Sequence, residues 1–175
     1  PISAAAVARS LALGAVAGSA YMLGLCEALL DTTLEYLRTR RQFGRALGSF
    51  QALQHRAVDM FMHVRLTRAA LDAAVTSIDA GQDSALAGAR VRQRACDTVT
   101  RVLREAIQLH GAIGYTEQCD VSLYVQRGLV MSARHGGAIT QLRGMPALLH
   151  GASADEAALP APLPDAYLPP GGDWN

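Results

Sequence analysis

The chain has 175 residues, half of them apolar, with 16 Lys plus Arg set against 15 Asp plus Glu. That length suffices for one domain with a sizeable core, and the near-balance of charge excludes the basic excess of a general nucleic-acid binder. Ala and Leu dominate while β-branched and aromatic residues are sparse, which favours helices over sheet.

In chain order, a first helix is expected from about Ser3 to Arg40. Its early part is apolar on most faces, so it should be surrounded by protein. Ser10 to Cys26 carries no charge. It is nevertheless shorter than the ~20 apolar residues of a membrane span, and Gly14, Gly18, Ser19 and Gly24 dilute it. A buried core helix is the better reading, with no membrane as partner. Gly14, Ala17 and Gly18 share one helix face. Small side chains there let another backbone approach, and Met22 closes the patch. From Glu27 onward the pattern is amphipathic. Gly44 to Gly48 supplies a turn, and Ser49 is a candidate N-cap.

A second helix is expected from about Phe50 to Ala80. Leu53, Ala57, Met60, Val64, Leu71, Ala74 and Ile78 form its apolar stripe, and Thr67 fills the gap in it. Gly81 and Gln82 break it. Asp83 or Ser84 caps a third helix that reaches about His110, with Val99, Val102, Leu103, Ala106 and Ile107 on its buried face. Gly111 and Gly114 end that helix. A short helix near Val121–Leu129 follows. Gly136 and Gly137 interrupt the chain before a last short helix to about His150. Leu159–Asn175 holds five prolines among small and polar residues. It should be extended and weakly ordered unless a partner holds it. The pattern predicts an all-α, up-down bundle of three long antiparallel helices with shorter closing ones. Residues 1–150 form the bundle domain and 151–175 a Pro-rich tail. No strand run and no internal repeat is seen.

Cys26, Cys96 and Cys119 are scattered and contain no C-x-x-C pair, which suggests buried thiols in a reducing cytoplasm rather than a disulfide framework. His55 and His63 are eight apart, roughly 12 Å of helix rise, too far to share one metal ion. No metal site is expected. No basic segment leads to a cleavage site, so no signal peptide is expected.

Two segments carry the chemistry. Arg40–Gln51 reads R-R-Q-F-G-R-A-L-G-S-F-Q, and Gln108–Tyr115 reads Q-L-H-G-A-I-G-Y. The first presents an arginine, an aromatic ring and an amide at an interhelical corner. A guanidinium there can hold a diphosphate through paired, charge-assisted hydrogen bonds. The second is a helix C-terminus with two glycines, either a simple C-cap or a backbone opened for a flat or charged ligand. Each segment alone is ambiguous between structural and binding roles.

Together the two segments resemble the acyl-CoA dehydrogenase family in its C-terminal helical domain, over roughly Leu11 to Arg143. The resemblance implies that Arg40 binds the FAD diphosphate, that Phe43 and Gln51 line the adenosine side, and that Gln108 and Gly111 contact the dinucleotide end. It implies contacts to the FAD of a neighbouring subunit, in a homo-oligomer or with an unlike subunit of the same family. The substrate implied is an acyl-CoA thioester of fatty-acid or steroid degradation, desaturated at its α,β bond, with an electron-transfer protein as acceptor. The family's N-terminal and middle domains lack counterparts here, so the chain reads as a fragment or one part of a larger assembly, inactive alone. Ala112 stands where the family usually has a second glycine, and its methyl group would crowd the cofactor.

The family's catalytic base is a Glu placed about where His135 falls, within Arg134–Gly137; its other known position, near Gly14, offers no carboxylate either. Three readings of His135 stay open: a solvated loop residue in a subunit without catalysis, a binding residue with the base supplied by an unlike partner, or the base itself. Arg134 beside it favours the neutral imidazole. A silent structural subunit of a hetero-oligomeric dehydrogenase is thus the alternative function. A related flavin-dependent monooxygenase or oxidase, which dispenses with the Glu, is the third.

Overall fold

The computed structural model of the protein describes residues 3–116 and 119–134. Helix α1 runs Ala4–Thr39, α2 Gln51–Asp79, α3 Ser84–His110 and α4 Val121–Ala133. The three long helices lie within two residues of their expected bounds. α4 extends four residues beyond its expected end. The proposed helix ending near His150 and the proline-rich tail lie outside the described residues, as do Gly136 and Gly137.

The caps explain the starts. Ser3 Oγ accepts from the Ala6 amide at 3.2 Å. The Asp83 carboxylate accepts from Ala85 and Leu86 at 2.9 and 3.3 Å, which settles Asp83 over Ser84 as the cap. Ser49 does not cap α2. Its hydroxyl turns back to the Ala46 carbonyl at 2.7 Å, closing a short 3-10 turn over Leu47–Ser49, and Phe50 occupies the N-cap position with no side-chain bond.

The corner before α2 also contains what the sequence did not suggest, a two-residue antiparallel ladder. Strand β1, Arg41–Gln42, pairs with β2, Arg45–Ala46, in the register Arg41 to Ala46 and Gln42 to Arg45. Phe43 and Gly44 form its tip with φ of 52° and 80°. Two successive positive φ values are what a tight primed hairpin turn demands. Gly44 adopts that conformation freely, whereas Phe43 does so at a steric cost. No run of alternating residues announces strands this short.

The core lies where the three long helices meet. Met22, Cys26, Leu29, Met60, Val64, Val91, Val99, Val102, Leu103 and Ala106 are all at most 3% exposed. Thr67 is buried as expected, because its hydroxyl meets that of Thr98 at 2.7 Å; a buried hydroxyl needs such a partner. Arg68 grips Glu27 through three bonds of 2.6, 2.7 and 3.1 Å, pinning α2 to α1. Arg56 meets Glu105 at 2.6 Å, pinning α2 to α3. Cys26 and Cys96 are buried, and burial together with Glu27 pushes the Cys26 thiol up to about 12, so it is inert at neutral pH.

α1 is long and apolar enough by composition to cross a membrane, and ten of its 36 residues are buried inside the bundle. Those ten concentrate in its later two thirds. The early part is not surrounded among the described residues: Val7, Leu11 and Leu13 are exposed. The small-residue face also works differently from expectation. No backbone approaches Gly14. At Gly18 the Arg92 guanidinium fills the space, 3.0 Å from where a Cβ would stand, and its Nη1 points at the Met22 sulfur at 3.8 Å. The close backbone approach occurs instead at Gly88 on α3, where a Cβ would lie 3.1 Å from Ala12 Cα and O.

Candidate functional site at the α1–α3 corner

The C-terminal ends of α1 and α3 meet at one corner of the bundle. Tyr36, on the last turn of α1, stacks on His110, the last residue of α3, with ring centroids 4.4 Å apart and planes inclined 24°. The Tyr36 hydroxyl donates to the His110 carbonyl at 3.3 Å. His110 Nδ1 lies 2.8 Å from the Ala106 carbonyl. A carbonyl only accepts, so Nδ1 carries the proton. This clamp fixes the residues that follow on each helix, Arg40 on one and Gly111 on the other.

Arg40 is the C-cap residue of α1, in extended conformation, and its carbonyl accepts from Leu47 at 2.8 Å. The backbone is thereby held while the side chain stays exposed. Among the described residues, the Arg40 guanidinium makes no hydrogen bond or ion pair. Gly111 has φ 65° and ψ −143°, a region essentially reserved for glycine. A Cβ there would meet nothing within 4 Å, so the need for glycine is conformational and the space in front of it is open. Gly111→Ala is accordingly expected to destabilise the fold by about 1–3 kcal/mol through backbone strain alone, read as a lowered urea midpoint with unchanged slope.

A cavity of about 540 Å³ occupies this corner. Arg40, Gln42, Gln108, Gly111, Ala112 and Ile113 line it, over a floor that includes Tyr36, His110, Leu47 and Leu53. Among the described residues of that lining Arg40 is the charged one, so the cavity favours an anion. Gln108 is exposed and its amide is uncommitted among the described residues. Ala112 is exposed and among the lining residues.

Three of the sequence-selected residues, Arg40, Gln108 and Gly111, are thus brought together. Phe43 and Gln51 are not part of this cavity. Phe43 projects from the hairpin tip, 87% exposed, its ring edge-on to Phe50 at 6.1 Å, and Arg45 lies 3.9 Å over the Phe50 ring. Gln51 is exposed at the first turn of α2. His135 lies outside the described residues. Sequence reasoning missed Tyr36, His110 and Gln42. His110 sits inside the quoted Q-L-H-G segment, but its role needs a stacking partner seventy-four positions away, which no local pattern reveals.

A helical bundle whose α1–α3 corner offers a free guanidinium, an amide and an open glycine backbone is a ligand-holding domain with room for an anionic group. Residues 4–143 match the family described as "Acyl-CoA dehydrogenase, C-terminal domain", and the chain belongs to the acyl-CoA dehydrogenase family. It is 36% identical to acyl-CoA dehydrogenase IpdE2 of Mycolicibacterium smegmatis over 128 residues, 73% of this chain and 37% of that protein. Its fold is similar to that in the ChsE4–ChsE5 complex from Mycobacterium tuberculosis, with a TM-score of 0.75, 31% identity and coverage of 79% of this chain and 38% of that one. It is also similar to PigA with FAD and proline, with a TM-score of 0.75, 26% identity and coverage of 82% and 37%. The chain spans little more than a third of the length of these relatives.

Proposed function

We propose that this chain is the C-terminal part of an acyl-CoA dehydrogenase-type flavoprotein, which holds FAD at a subunit interface and builds the oligomer. The observation that carries this reading is the convergence of Arg40, Gln108 and Gly111 on one open, cationic cavity formed by the ends of two helices. The residues fit the cofactor's polar half. Arg40 offers its guanidinium to the diphosphate, Gln108 an amide to a ribose or ring edge, and Gly111 a backbone without a Cβ in the way. Phe43 and Gln51, outside the cavity, line the path toward adenosine. Bound FAD supplies a hydride acceptor for α,β-desaturation of an acyl-CoA thioester.

In this division of labour the chain binds and assembles, and it lacks a carboxylate for proton abstraction at either position the family uses. His135 stands at the usual one. The base comes from the rest of the assembly, in an oligomer of like or unlike subunits that passes electrons to an electron-transfer protein. A catalytically silent subunit is the second reading, and the missing Glu favours it. The relative that binds FAD and proline cautions that this fold does not by itself fix the substrate,.

The full-length protein, purified with any co-purifying chain, separates the readings by its visible spectrum and subunit composition. Bound flavin that bleaches on adding acyl-CoA is the expected result. A flavin-free assembly in every preparation supports the silent subunit instead. Oxygen consumption driven by reduced flavin without acyl-CoA points to the oxidase class.

A further inference from the structure

A cavity of about 760 Å³ lies between α1 and α4 and shares no residue with the Arg40 corner. Its floor is low because α1 presents Ala20, Gly24 and Ala28 there, at four-residue spacing,. A Cβ on Gly24 would meet nothing within 4 Å. The walls are apolar and open to solvent: Tyr21 on α1 is 47% exposed, and Leu123 and Val130 on α4 are 63% and 61% exposed. Tyr124 adds a second ring to the lining. Arg127 is the charged residue of this lining among the described residues. Its Nε donates to the Tyr21 hydroxyl at 3.0 Å, and it forms no ion pair among the described residues. Both Nη groups therefore stay available to a carboxylate, which a guanidinium holds through paired bonds.

We propose that the chain's own proline-rich tail occupies this groove, with Pro160–Asp165 laid along it as a polyproline II segment. The tail lies beyond the residues that match the family, 4–143, so packing common to the family does not account for it. Its chemistry is the complement of the groove. Beyond Arg143 the chain carries Asp155, Glu156, Asp165 and Asp173 and no Lys or Arg, an acidic segment for a surface whose charge is a guanidinium. Pro160, Pro162 and Pro164 hold the backbone extended before it docks, so little freedom is lost against an aromatic-lined groove. Polyproline II has three residues per turn, which sets Pro160 and Leu163 on one face. The lining from Leu123 to Val130 runs roughly 10 Å along α4, close to the roughly 9 Å from Pro160 to Leu163 in that conformation. Leu163 then seats over Gly24, and Asp165 reaches Arg127. Pro160 follows Arg134, at the end of α4, by twenty-six positions, an extended reach of roughly 85 Å, so the connection does not limit the fit. The tether also raises the local concentration of the tail to the order of millimolar, an advantage that a free partner lacks. This docking is independent of the cofactor reading.

Two measurements on the full-length protein test it. Gly24→Cys combined with Leu163→Cys should form an intrachain disulfide with oxidised glutathione. Arg104→Cys combined with Leu163→Cys should form none, since position 104 is exposed on α3. Chymotrypsin reads the docking without engineered thiols. Cleavage after Tyr167 in wild type should be about fivefold or more slower than in Gly24→Leu, which fills the groove, or in Arg127→Asp, which reverses its charge. Adding Asp165→Arg to Arg127→Asp should restore the protection. Equal cleavage of wild type and Gly24→Leu, a disulfide joining two chains or reaching a different polypeptide, or equal cross-linking from position 104 would each overturn the docking.

Discussion

Arg92→Ala should destabilise the protein by about 4 kcal/mol, the largest single-residue loss expected here. Arg92 is fully buried and has no acidic partner among the described residues. Its Nη2 donates to the Met131 carbonyl at 2.5 Å and to the Arg134 carbonyl, the last acceptors of α4. The negative end of that helix dipole faces the guanidinium. Burying a guanidinium is costly, and the cost here is only partly offset, because Nε is left unpartnered. Truncation nevertheless loses more than it gains. It frees the carbonyls at the end of α4, strips the packing beneath Gly18 and Met22, and leaves a void the length of an arginine stem. Arg92→Met separates these effects, since it fills most of the volume and restores no donor. It should fall between wild type and Arg92→Ala. Urea denaturation gives the magnitudes. Hydrogen exchange should show α4 amides losing protection before those of α1 to α3, because Arg92 and the Cys96 to Ser132 contact of 3.6 Å both tie its last turn to α3.

Gly88→Leu should cost about 3 kcal/mol, while Gly88→Ala should stay within about 1 kcal/mol of wild type. A Cβ at position 88 meets Ala12 Cα and O at 3.1 Å. Those are backbone atoms and cannot rotate away. For Ala the tight contact is set against the gain of replacing glycine inside a helix. For Leu the further atoms drive α1 and α3 apart along the part of α1 that already has the fewest partners. The check is the difference between the two thermal midpoints. Equal midpoints would show that the early turns of α1 are not held by α3.

The helices were legible because their apolar spacing, their caps and their glycine stops agree. The expected stripe on α2, Ala57 through Ile78, is the buried one. What escaped was relational. A second, exposed apolar stripe of α2, with Val58, Met62 and Leu66, overlaps the first in sequence and surfaces only once the core face is known. Arg92 reads as an ordinary surface arginine among Arg90, Arg94 and Arg101, and only the packing of α4 reveals it as buried. The hairpin at Arg41–Ala46 is too short for alternation to show, and Ser49 lost its expected cap role to a local turn. At the site, the family resemblance of the two segments singled out Arg40, Gln108 and Gly111. It could not tell that Phe43 and Gln51 fall outside the cavity, because Phe43 sits at the tip of a hairpin that no local pattern shows.

The most direct measurement is the flavin-to-protein ratio of full-length Arg40→Ala beside wild type, after identical dialysis. Arg40 is the charged residue of the cavity among the described residues, and a charge-assisted contact to phosphate contributes about 1.5–3 kcal/mol, so retention should fall roughly tenfold to a hundredfold in affinity while helix content holds. Flavin occupancy equal to wild type in that variant would contradict the account, for the corner between α1 and α3 would then hold something other than the cofactor's diphosphate.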